Sequence, residues 1–129
     1  MDELTAAAGL DVLVGAPADG AISAEATAAL AAALSHTPGV LEGHLPQLFA
    51  PGVSDAPAQA LVLALARGAA PDAVMSALRP RLAAIVPAGV HLDVWPLAPA
   101  HALLPAVRQA GCQIYTAPAA LRPWWKFWA

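Results

Sequence analysis

The sequence predicts a single α+β domain, with one mixed β-sheet and helices packed mainly on one face. Three observations indicate this class. Short apolar runs alternate with longer helix-like segments, Gly or Pro ends most of these segments, and two strands follow one another without a helix between them. A chain of 129 residues suits one ordinary domain with a buried core. No linker or shift in composition divides it.

The first third of the chain predicts a strand followed by a helix. The run "DVLVGAP" (11–17) is short, apolar and ended by Gly and Pro, which is typical of a buried strand. Ser23 is placed to cap a helix through "AEATAALAAALSH", where Glu25 in the first turn favours the helix dipole. "TPG" (37–39) should end that helix. Residues 1–10 have no clear periodicity and are expected to form a flexible lead-in.

Two strands and a second helix are predicted next. "VLEGHLPQLFA" (40–50) reads as a strand, and Pro46 should place it at a sheet edge or in a bulge because proline cannot donate to a ladder. "AQALVLALA" (58–66) has the pattern of a central strand. Pro71 and Asp72 then open a helix, in which Pro80 should cause a kink or shift the true start.

The last third predicts a strand, a short helix and a final strand. Residues 88–98 alternate between apolar and other side chains, as in a half-buried strand. A helix is expected from His101 to Gln109, and "CQIYTA" (112–117) closes the sheet. The predicted order is β-α-β-β-α-β-α-β. Its first six elements match the split unit of ferredoxin-like folds, so a ferredoxin-like core is one option.

The composition excludes several classes of protein. Hydrophobic residues make up 59% of the chain, but 35 residues are alanine, and charge-free stretches such as 56–66 are shorter than the roughly 20 apolar residues of a membrane span. The acidic start "MDEL" is unlike a secretory signal, and Cys112 alone can form no intrachain disulfide, so a cytoplasmic location is expected. A net charge of −3 with six scattered basic residues argues against nucleic acid.

The order of several landmarks resembles a known bacterial family. A strand with a Pro-Ala turn, "LVGAPA", is followed by a helix, a strand containing "HLPQL", the run "APAQALVLALARG", a helix, "VHLDVWPLA" and a closing "CQIY". These landmarks resemble the C-terminal domain of SseB, the enhanced serine sensitivity protein. The resemblance covers about residues 11–118. It departs from the family in its closing pair, Ile114-Tyr115, and in lacking the N-terminal domain that usually accompanies this one. The resemblance implies a fold and a bacterial setting, and it transfers no catalytic residue.

No residue pattern predicts catalysis, a metal or a cofactor. His36, His44, His91 and His101 are not spaced as metal ligands, although strands could bring some of them together; solvated or hydrogen-bonded histidines are the simpler explanation. Cys112 starts a strand after a glycine, with no helix N-terminus beside it to lower its pKa, so we expect an inert thiol. The "VGAPADG" segment lacks the phosphate-binding patterns and is expected to be a turn.

Two surfaces are predicted to bind a partner. The first is the aromatic tail, residues 119–129. Its candidate binding residues are four large aromatics and an arginine: Trp124, Trp125, Phe127, Trp128 and Arg122. Such a patch should be buried on its own domain, on a second subunit or partner, or at a membrane surface. The second is the strand around His44 and Gln47, which as an edge could accept an extended peptide, or could be polar only to prevent aggregation.

The predicted function is therefore binding. We expect a lead-in over 1–10, one SseB-like domain over 11–118 and the tail, together forming a small bacterial protein-interaction domain with no catalysis of its own. Its partner would be another protein or a second copy. The alternative is a regulatory domain that binds an amino acid or a related small metabolite.

Overall fold

The described part of the protein is an α+β domain, as predicted. A computed structural model describes residues 4–6, 12–15, 22–49, 58–86 and 92–117. Within these ranges the elements are β1 (Leu4–Ala6), β2 (Leu13–Gly15), α1 (Ala24–Ser35), β3 (Val40–His44), β4 (Gln47–Phe49), β5 (Ala58–Leu65), α2 (Pro71–Ile85), β6 (Asp93–Leu97), α3 (Leu104–Gln109) and β7 (Gln113–Thr116).

The seven described strands form one mixed sheet. Neighbouring strands follow the order β1-β2-β4-β5-β3-β7, and β6 pairs with β5. All pairs are antiparallel except β5 with β6, which is parallel. β5 pairs with β3 and β4 on one edge and with β6 on the other. The central position predicted for residues 58–66 is therefore confirmed.

β3 and β4 are two halves of one long strand that lies inside the sheet. His44 pairs with Val62 and Gln47 with Gln59, so the register against β5 continues unchanged across residues 45–46. The opposite edge of the same strand pairs with β7 along β3 and with β2 along β4. The prediction that Pro46 marks a sheet edge is therefore wrong. The register shifts of β3 lie at Val40/Glu42 and at Gly43/His44, so Pro46 is not in a bulge either.

The alternating side chains of β5 divide the core into two clusters. One set of alternate side chains faces α1 and α2, namely Leu61, Leu63 and Leu65. The other set faces α3, namely Ala60, Val62 and Ala64. Both faces are thus buried, which explains why the run reads as continuously apolar. Two of the three described helices lie on one face, in agreement with the predicted arrangement.

The predicted cap and the predicted end of α1 are confirmed. The Ser23 hydroxyl accepts a hydrogen bond from the backbone N–H of Ala26 at 3.0 Å, which satisfies one of the free donors at the helix start. Leu30 and Leu34 are buried against the sheet. The helix ends at Ser35, and Gly39 then takes a φ of 91°, a conformation that favours glycine.

Of the two later helices, only α3 begins at a different residue from the one predicted. α2 begins at Pro71 as predicted and continues through the exposed Pro80, so the expected shift of its start is wrong. α3 begins at Leu104 instead of His101. The His101 ring accepts a hydrogen bond from the backbone N–H of Leu103 through Nδ1 at 3.0 Å, and this contact forms a turn before the helix.

Two further predictions are corrected by strand pairing. In a ferredoxin-like core, another strand lies between the two strands of each βαβ unit. Here β5 and β6, which α2 connects, are direct parallel neighbours, and β2 is antiparallel to β4. The ferredoxin-like option is therefore wrong. Within the predicted lead-in, Leu4–Ala6 forms strand β1 against β2. A three-residue strand has too little sequence to show a periodicity.

Candidate functional site

A polar cluster links β3 to α3 on the α3 face of the sheet. His44 Nε2 lies 2.9 Å from Glu42 Oε1. The Arg108 guanidinium donates to the same carboxylate twice, from Nε to Oε1 at 3.0 Å and from Nη2 to Oε2 at 2.9 Å. The three side chains therefore form a continuous chain from the buried imidazole to the exposed guanidinium, which we call the Glu42 cluster.

Strand periodicity explains why Glu42 and His44 share a face. Residues two apart on a strand point the same way, and Glu42 pairs with Ala64 while His44 pairs with Val62, the face that α3 covers. Arg108 lies in the last turn of α3, where a cation also interacts favourably with the helix dipole. The cluster thus stabilises the docking of a six-residue helix on the sheet.

The electrostatics of the Glu42 cluster favour an ionised carboxylate. The hydrogen bonds from Arg108 lower the pKa of Glu42, burial partly opposes this, and the bond with His44 lowers it further. In return, the carboxylate raises the pKa of the Arg108 guanidinium. Two parallel hydrogen bonds between a guanidinium and a carboxylate are stronger and more specific in geometry than a single contact.

A carboxylate bonded to one nitrogen of an imidazole is an arrangement that enzymes use to orient a general base. Here the His44 side chain is only 1% exposed, and its second nitrogen, Nδ1, is buried and has no hydrogen-bond partner among the residues that the structure describes. The ring faces the apolar cluster under α3. In the folded domain His44 therefore cannot reach a substrate in solvent, and the Glu42 cluster acts as a structural connection.

Cys112 lies close in the chain to this cluster and has the environment of an unreactive thiol. Its side chain is buried, and burial raises the pKa of the thiol. The Sγ atom lies 4.0 Å from the carbonyl oxygen of Val107. The carbonyl oxygen of Cys112 accepts from the backbone N–H of Leu45 at 3.0 Å, which continues the pairing beyond β7. Because the thiolate is the reactive form, a raised pKa disfavours nucleophilic chemistry at neutral pH.

The histidines are not gathered into a metal site within the described ranges. Among the residues that the structure describes, no group of three or more His, Cys, Asp or Glu side chains is placed to hold a metal ion. His44 is engaged with Glu42, and the His101 ring with the backbone of Leu103. His91 lies outside the described residues.

Of the two predicted binding surfaces, the structure describes only the strand around His44 and Gln47. The predicted binding residues of the tail lie outside the described residues; they are Arg122, Trp124, Trp125, Phe127 and Trp128. His44 lies inside the sheet and is buried, and Gln47 is half-buried on an inner strand. An extended peptide cannot be added to a strand that is already paired on both edges, so the predicted edge surface is absent at these two residues.

The part that Arg108 plays could not be predicted from the sequence. Glu42 and Arg108 are 66 positions apart, and an isolated arginine near the end of a short helix gives no signal of its partner. The spacing of Glu42 and His44 does indicate a shared face. Only the packing of α3 on that face identifies the third member of the cluster.

Comparisons with known proteins found no relative. No family model matches the chain, and neither a curated protein nor a solved structure matches it. Within the described ranges, no helix is both long and apolar enough to cross a membrane.

Proposed function

We propose that this chain is a small bacterial, cytoplasmic domain that binds another protein or a second copy of itself through its aromatic tail. One observation carries the proposal. Among the last eight residues, "RPWWKFWA", four are large aromatics and two are cations. Tryptophan and arginine are enriched at the centres of protein interfaces, where each well-packed side chain contributes much of the binding energy.

The fold supports this proposal through the point at which the tail is attached. β7 ends at Thr116, and the next residue, Ala117, is buried and donates its backbone N–H to the carbonyl oxygen of Leu41 at 2.8 Å. The chain is therefore fixed to the sheet two residues before the tail. A short attachment of this kind limits the entropy that is lost when the tail binds.

The described polar groups support a role without catalysis of its own. Glu42, His44 and Arg108 are engaged with one another, and burial raises the pKa of the Cys112 thiol. A domain with this arrangement is better suited to present a surface than to activate a substrate. The resemblance to the C-terminal domain of SseB, a protein family without a settled activity, is consistent with the same proposal.

The test compares four purified proteins: the intact chain, a chain ending at Leu121, a variant with Trp124, Trp125 and Trp128 changed to Ala, and Trp95→Phe. Trp95 lies in β6 and is the only tryptophan outside the tail, so its variant is the matched control. Circular dichroism and urea denaturation must first show that each protein is folded. Light scattering then measures self-association, and cross-linking in lysate identifies partners, each confirmed by calorimetry with the purified partner.

We expect the intact chain and Trp95→Phe to bind, and the truncated and triple variants to lose at least tenfold in affinity. Equal binding by all four would contradict the proposal. Unfolding of the two tail variants would also contradict it, because the tail would then be part of the core. Binding of the intact chain only to vesicles of anionic phospholipid, and to no protein, would assign the tail to a membrane surface.

The alternative, binding of an amino acid or related metabolite, predicts a different result. A ligand that binds only the folded domain raises its melting temperature in proportion to the logarithm of ligand concentration. An increase of equal size in the intact and truncated chains would favour this alternative, because the ligand would then bind within residues 11–118. No increase with any of the common amino acids would count against it.

A further inference from the structure

We draw no further inference here: the strongest candidate, the outer edge of β7 (Gln113–Thr116) on the side away from β3, has no strand beside it among the described residues, and nothing in the structure shows what covers it.

Discussion

The side-chain amide of Gln59 replaces the backbone N–H that Pro46 lacks. Pro46 accepts a hydrogen bond from the backbone N–H of Ala60 at 3.0 Å, so the two residues face each other across the β4–β5 pairing. The reciprocal hydrogen bond, from residue 46 to the carbonyl oxygen of Ala60, is missing because proline has no N–H. Gln59 Nε2 lies 3.0 Å from the carbonyl oxygen of Ala60 and 3.0 Å from that of Pro46. An inner strand can therefore contain this proline while the backbone carbonyls of Pro46 and Ala60 both keep a donor.

Replacing Gln59 with Leu should destabilise the domain. Ala60 is 1% exposed, so its carbonyl oxygen would lose its donor in a place that water does not reach. An unpaired buried acceptor costs about 1–3 kcal/mol. We expect urea denaturation to show a loss of that size in the free energy of unfolding. Gln47→Leu is the matched control, because Gln47 pairs with Gln59 across the strands and its side chain makes no hydrogen bond to the described residues.

Pro46→Ala should partly rescue Gln59→Leu. Alanine restores the backbone N–H that Ala60 requires, so the double variant should lose less stability than the sum of the two single variants. Residues that share one hydrogen-bond network typically show coupling of about 0.5–3 kcal/mol. Strict additivity in this double-mutant cycle would mean that the Gln59 amide does not compensate for the proline.

Arg108→Gln should weaken the docking of α3. The Arg108 side chain is 45% exposed and that of Glu42 is 20% exposed, so solvent screens the pair and limits its contribution. With its paired hydrogen bonds, we expect a loss of about 1 kcal/mol in the free energy of unfolding, at the upper end for exposed ion pairs. Arg108→Lys should recover only part of this loss, because an ammonium lacks the planar double donor. Arg79→Gln, at an exposed position of α2, should have no measurable effect.

The lowered pKa of Glu42 predicts a loss of stability in acid. Hydrogen bonds from Arg108 lower this pKa in the folded state. The resulting stabilisation is present above the ordinary glutamate pKa, about 4.3, and is lost as the pH falls through the lower folded value. Urea denaturation over a series of pH values should show that the free energy of unfolding falls less steeply towards acid pH for Glu42→Gln than for the unchanged protein. Arg108→Gln should reduce the slope in the same direction, and an unchanged slope in both variants would contradict this assignment.

Gly43→Ala should destabilise the contact between β3 and α1. A Cβ atom at Gly43 would overlap Cδ1 of Leu34, a side chain that is fully buried in the core. Extra methyl groups in a filled core cost about 1–3 kcal/mol. Leu34→Val removes the overlapping atom, so the pair of changes should cost less than the sum of the single changes. Independent effects would show that the contact at Gly43 is not the cause.

The local features of this protein could be predicted from its sequence. The Ser23 cap, the start of α2 at Pro71 and the central strand over residues 58–66 all depend on neighbours within one helical turn or one strand. The physical reason is that capping, proline geometry and side-chain periodicity act over a few residues. The α+β class follows from the order of such segments.

Strand order and the contacts between distant segments were decided only by the tertiary structure. Pro46 indicates an edge or a bulge by the local rule for proline, yet its strand is paired on both edges, and Gln59, 13 positions away, supplies the missing donor. In the same way, Glu42 and His44 give no sign of the third member of their cluster, because Arg108 is 66 positions away from Glu42 and meets it only when α3 packs on the sheet. Many pairings of the same strands would satisfy the same apolar pattern, and only the packed chain determines which polar groups meet.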